Sequence, residues 1–165
     1  MPGDTVQEQL VKYLTDAHSQ EENAISQLKT GVDQAGDPQL AEVFRTHLAE
    51  TEEHERLIRQ RLEAHDASPS GLKDVAQKAG ATMTGTLAKA APDTTGKLAI
   101  QAYAFEHLEI ASYRMLSVVA ERAGDQETLQ VVQRILEQER ATAQKLDGLL
   151  EQISAGDLER MDVAA

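Results

Sequence analysis

The triplet Ala-Gly-Asp occurs at residues 35–37 and again 88 residues on at 123–125, and each copy interrupts an apolar stripe of helical period. Glycine closes one helix and the following aspartate caps the next, so each triplet predicts a tight reversal between antiparallel neighbours. Two reversals divide the chain into two long helical hairpins. The first stripe runs Leu10, Leu14, Ala17, Ala24 and Leu28, with Asp4 and Gln7 as its expected capping box, and Glu21 falls on it. After Asp37 and Pro38 the second runs Leu40, Val43, Phe44, His47, Leu57, Ile58 and Leu62, and it carries Glu50 and His54. The third follows Asp93-Thr94-Thr95 through Leu98, Ala102, Phe105, Glu106, Glu109, Tyr113, Leu116 and Ala120 to Gly124. The fourth takes in Leu129, Val132, Leu136, Glu139, Ala143, Leu146, Leu150 and Ile153, with Gly156 expected to close it before a frayed tail. The predicted helices span about 5–35, 38–64, 94–123 and 126–154.

Residues 66–96 are rich in Gly, Ser, Thr, Ala and Pro. A weaker stripe through Leu72, Val75, Ala79, Met83 and Leu87 persists there, interrupted by Gly80 and Gly85, each costing about 1 kcal/mol relative to alanine. The expected fold is therefore all-α, a single domain over 1–165 built as a four-helix bundle. Two antiparallel hairpins are joined by a long, partly helical crossover between helices two and three. A length of 165 residues suits one core, and 41% hydrophobic residues with no tryptophan and 3% aromatics make that core aliphatic. The formal net charge is −12, which repels phosphate backbones and anionic lipid and so predicts neither a nucleic-acid nor a membrane partner. The absence of cysteine excludes disulfides, thiolate catalysis and sulfur-ligated metal. The first residues show neither the basic nor the apolar region of a secretory signal, and a cytoplasmic location is expected.

Glu21, Glu50, Glu109 and Glu139 each lie on the apolar seam of a different helix. All four stand about 13 to 16 residues from their hairpin turn, a spread of roughly 3 Å along a helix. Unpaired carboxylates in a helical interior cost several kcal/mol each, roughly, so a shared depth calls for protons, cations or metal to neutralise them. His54 lies one turn beyond Glu50, and Glu106 three residues before Glu109, giving helices two and three two candidate ligands each. Carboxylates with one or more imidazoles suit iron or manganese, with zinc as an alternative and calcium less favoured. His47 reads as a hydrogen-bonded core residue, His18 as a weak ligand candidate, and His65 and His107 as peripheral. Glu22, Glu52, Glu53, Glu55 and Glu137 fall off the seams and are assigned to solvent or to supporting the ligands, with Glu53 the first exception because it borders His54.

Three segments, His47-Leu48-Ala49-Glu50-Thr51, Phe105 through Tyr113, and Glu137 through Thr142, resemble the ferritin-like superfamily and most closely its YciE/YciF-type bacterial stress-protein family. The resemblance covers most of the chain. It implies a rubrerythrin-like dinuclear metal site, homodimerisation and a role in stress, with Glu21, Glu50, Glu106, Glu109 and Glu139 as metal-site residues. His54 stands where relatives often carry glutamine, and Ala143 where they often carry aspartate. The expected function is a carboxylate-bridged centre of two iron ions, or manganese or zinc, reacting with peroxide or dioxygen. Glu50, Glu109 or both would bridge, Glu21, Glu106 and Glu139 would be terminal, and His54 would supply nitrogen. An external electron donor would be required. The opposing expectation is a non-catalytic stress protein with a structural or vestigial site that acts through self-association or partner binding.

Overall fold

The computed structural model describes residues 5–68 and 93–163, which form four helices: α1 (Val6–Gln34), α2 (Pro38–Ala64), α3 (Thr95–Ala123) and α4 (Gln126–Val163). No strand occurs among the described residues. α1 is capped by Thr5 in place of the expected Asp4, which lies outside the described residues. The Thr5 hydroxyl accepts from the Glu8 backbone N–H, and the Glu8 carboxylate accepts from the Thr5 N–H at 2.6 Å, so two orphan donors of the helix start are satisfied reciprocally. Asp37 caps α2 by accepting from the N–H groups of Gln39 and Leu40, with Pro38 in the first turn.

The two Ala-Gly-Asp triplets turn the chain for different reasons. Gly124 ends α3 in the left-handed region at φ 73, where a side chain would be strained. Gly36 is needed for space, since a Cβ there would lie 2.5 Å from the Thr95 hydroxyl. α4 continues through Gly156 to Val163, past its expected end near residue 154. The reason is tertiary. Asp157 accepts the Gly96 N–H of α3 at 2.7 Å and is gripped by Arg160 at 2.6 Å, which holds the last turns of α4 against the start of α3.

Contacts at the helix ends fix the topology. Gln7 donates to the Ala123 carbonyl at 3.0 Å, and Arg61 and His65 both reach Asp125, so the start of α1, the ends of α2 and α3 and the start of α4 share one end of the bundle. At the other end Gly36 abuts Thr95, and Gln152 donates to Gln39 at 2.9 Å. α1 packs on α2 and α3, and α4 on α3 and α2, so every adjacent pair is antiparallel. The described chain leaves at the first end at Ser68 and resumes at the other at Asp93, which makes the connection a crossover. Its weak stripe from Leu72 to Leu87 lies outside the described residues. No described helix is long and apolar enough to cross a membrane.

The apolar interior is in two parts. At the Gln7 end Leu10, Leu14, Ile58, Leu62, Leu116 and Ile135 lead one cluster, and at the other end Leu28, Leu40, Phe44, Leu146 and Ile153 lead the second. Truncating any of these buried leucines to alanine costs about 2–5 kcal/mol. Between the clusters lies a layer of buried polar side chains.

Candidate metal centre

Each helix places its part of this layer on the stripe that faces its neighbours. The buried residues of α2 run Leu40, Ala41, Phe44, His47, Thr51, His54, Ile58 and Leu62, in steps that keep one side of the helix turned inward. α1 contributes Glu21, α3 contributes Glu106 and Glu109, and α4 contributes Glu139 and Thr142. Glu21, His54, Glu109 and Glu139 are 0% exposed, His47 1% and Glu106 3%.

Two groups form, within each of which potential ligand atoms lie within 4.8 Å of one another: His47, Glu106, Glu109 and Glu139, and Glu21, His54 and Glu139. Glu139 belongs to both. Its Oε1 lies 3.0 Å from His54 Nδ1 and its Oε2 3.5 Å from His47 Nε2, while Glu106 Oε2 is 3.3 Å from His47 Nε2 and Glu21 Oε2 is 3.7 Å from His54 Nδ1. On these six residues eight buried nitrogen and oxygen atoms make no hydrogen bond, including both oxygens of Glu109 and of Glu139. Orphaned buried atoms of this number are rare in folded proteins.

The outward atoms of the same side chains are partnered. His54 Nε2 lies 2.9 Å from Gln138 Oε1, so Nε2–H donates there and Nδ1 faces Glu21 and Glu139. His47 Nδ1 lies 3.3 Å from Glu50 Oε2 and 3.1 Å from the Thr142 hydroxyl, which leaves Nε2 facing Glu106 and Glu139. The Tyr113 hydroxyl donates to Glu21 Oε1 and leaves Oε2 turned inward. Outer acceptors of this kind set the tautomer and ring orientation of metal-binding histidines. Oxygen and imidazole atoms so placed fit a metal ion in either group.

Burial and the facing charges shift the proton affinities of these groups. Burial pushes the His47 imidazole down, but the facing Glu106 and Glu50 carboxylates outweigh it and raise its pKa to about 10. His54 rises likewise to about 10, burial being outweighed by Glu139 and Glu21. Burial raises Glu139 to about 7 against the opposing pull of the two imidazoles. Burial, then the charges of Glu21, Glu139 and Glu106, push Glu109 well above the ordinary carboxylate range. Glu21 is raised by burial, in part offset by His54.

Of the residues singled out in the sequence, Glu21, His54, Glu106, Glu109 and Glu139 come together and Glu50 does not. Its side chain is 25% exposed and reaches the far nitrogen of His47, and neither group includes it. His47, read as a core residue, lies in the first group. The signal was its membership of the apolar stripe, four residues before Thr51 and seven before His54. His18 is buried but paired with Glu55 at 2.8 Å, and Glu53 is held by Arg56 at 2.7 Å. His65 binds Asp125 at 2.7 Å and His107 stacks edge-on against Tyr103, both away from the layer. Ala143 is buried beside Glu139 and offers no ligand.

Residues 5–159 match the family described as Domain of unknown function (DUF892). The chain belongs to this family. Protein YciF of Escherichia coli (strain K12) is 30% identical over 154 residues, covering 88% of this chain and 90% of that protein. Its crystal structure, described as that of the E. coli stress protein YciF, covers 93% of this chain and 99% of that one at 23% identity and a TM-score of 0.73. A protein of Xanthomonas campestris pv. campestris is similar at 31% identity and a TM-score of 0.79, covering 95% of this chain and 98% of that one. A structure described as ferritin like, diiron-carboxylate proteins from Bacillus anthracis str. Ames shares the fold, with a TM-score of 0.73 and 13% identity over 90% of this chain and 99% of that one. The DUF892 chain is thus a ferritin-like four-helix bundle of YciF type, with a buried glutamate and histidine group that could hold metal.

Proposed function

We propose that the polar layer holds two metal ions and serves the reduction of peroxide or dioxygen under stress. His47, Glu106, Glu109 and Glu139 would hold one ion and Glu21, His54 and Glu139 the other, Glu139 being common to both groups. The observation that carries this reading is the set of eight inward atoms without hydrogen bonds, matched by outward atoms of both histidines and of Glu21 that are partnered. Oxygen and imidazole donors suit iron first, and manganese or zinc after it. When bound, a ferrous pair supplies two electrons, enough with two protons to take hydrogen peroxide to two waters or dioxygen to hydrogen peroxide. The chain's own residues fix the ligands and keep water out: Gln138 and Glu50 orient the imidazoles, Tyr113 holds Glu21, and the two apolar clusters seal the layer above and below. The stress description of YciF supports a protective role.

A second reading has support in the same layer. Two imidazoliums against buried carboxylates can neutralise one another without metal, and Ala143 leaves α4 with one carboxylate there. Metal analysis of protein purified without chelator, with Glu21→Ala and Glu139→Ala alongside, separates the two. The metal reading expects about two ions per chain, one lost in Glu21→Ala and both weakened in Glu139→Ala. Metal-free wild-type protein that takes up no added ferrous ion refutes it.

A further inference from the structure

A cavity of about 50 Å³ lies between α1, α2 and α3, and Glu106 of the candidate metal centre is part of its lining. It is lined by the buried Ala24, Leu28, Phe44 and Phe105, by the half-buried Gln101 and Ala102 with the exposed Gln27, and by the buried Glu106. Gly31 also lines it, and a Cβ at that position would stand 3.0 Å from two carbons of the Phe44 ring, so the glycine lets that ring lie against α1. Glu106 Oε2 has no hydrogen bond and lies 3.3 Å from His47 Nε2. One cavity is therefore bordered by exposed Gln27, by hydrocarbon side chains and by a residue of the His47 group.

Chemistry of the wall selects what can pass. Peroxide or water moving from the glutamines to Glu106 gives up hydrogen bonds along the way, at roughly 2–7 kcal/mol for an uncompensated polar group. Dioxygen gives up none. Small apolar cavities stay dry and take apolar guests, and a water-sized site needs only about 10–15 Å³, so there is room for a diatomic molecule. The geometry points to this cavity as the holding site and access route for dioxygen on the Glu106 side of the centre. Its role in oxidation rests on the function proposed above, whereas occupancy by an apolar gas does not.

The test begins on metal-free protein with labelled alanine and leucine methyl groups. Dissolved dioxygen should enhance relaxation at Ala24 and Leu28 more than at Ala17 and Leu136, which are buried to a similar degree in the other apolar cluster. Xenon should shift the Ala24 and Leu28 methyls, and Ala102→Phe or the milder Ala102→Leu should abolish both effects with helical content unchanged. Enhancements no larger than at Ala17 and Leu136 overturn the site. In ferrous-loaded protein, filling the cavity should slow oxidation by dioxygen about tenfold without changing ferrous uptake, and an unchanged rate overturns the access role. Methyl enhancement in a chain that binds no ferrous ion would end the function proposed above and still support the apolar-gas site.

Discussion

Replacing Glu109 with leucine should shift the stability of this protein in opposite directions with and without metal. Glu109 is 0% exposed, neither of its oxygens has a hydrogen bond, and burial together with Glu21, Glu139 and Glu106 pushes its carboxyl well above the ordinary 4.5. In metal-free protein above that pH, folding must either retain a proton the unfolded chain has lost or bury a charge. Each unit of raised pKa then removes about 1.4 kcal/mol. Leucine has similar volume and makes neither demand, and exchanges of buried ionic groups for apolar ones commonly stabilise by about 1–4 kcal/mol. At roughly 2–4 °C per kcal/mol for a domain of this size, metal-free Glu109→Leu should melt several degrees above wild type near neutral pH. The gain should vanish below about pH 4.5, where Glu109 is protonated in both states, and grow as pH rises. With metal at about 100 times its Kd, binding adds about 2.7 kcal/mol to wild type, and a variant lacking a ligand forfeits most of that, so the order reverses. Thermal unfolding followed by circular dichroism, in chelator and in excess ferrous or manganous ion, reads both halves. A variant that melts below wild type in chelator would refute the reasoning, because Glu109 would then be stabilising the fold by itself.

Two further outcomes follow from named contacts. Gln138→Leu removes the acceptor of His54 Nε2 and should lower metal affinity about 10–100-fold in a chelator competition, with no loss of helix; unchanged affinity would show that Gln138 does not orient the ring. Asp125 caps α4 through Thr128 and receives Arg61 and His65; burial pushes its carboxyl up, but these hydrogen bonds outweigh it and hold it well below the ordinary 3.8. Its contribution is therefore complete above pH 3.8 and fades as pH falls below it. Asp125→Ala should cost about 1–2 kcal/mol near neutrality in urea unfolding and progressively less in acid, and a pH-independent difference would contradict the assignment.

Most of the fold is legible along the chain because helix period, caps and glycine breaks are local signals. The Ala-Gly-Asp triplets located both hairpin turns, and the depth of Glu21, Glu109 and Glu139 from those turns located the polar layer. The end of α4 was not legible. Gly156 looks like a stop, and only the contact of Asp157 with Gly96, made by residues far apart in sequence, carries the helix through it. The capping box of α1 shifted by one residue for a smaller reason, since Thr5 and Glu8 offer the same pattern as Asp4 and Gln7.

Within the site, the sequence by itself determined which helices carry carboxylates and at what height, because rise per residue is fixed. It could not determine which of two adjacent stripes of α2 faces the centre. His47, Thr51, His54 and Ile58 form one stripe, Glu50, His54 and Leu57 a neighbouring one, and a modest rotation about the helix axis exchanges them. Packing of Leu40, Phe44, Ile58 and Leu62 against the other helices sets that rotation. It turns His47 inward as a candidate ligand and leaves Glu50 behind it, partly exposed, holding its outer nitrogen.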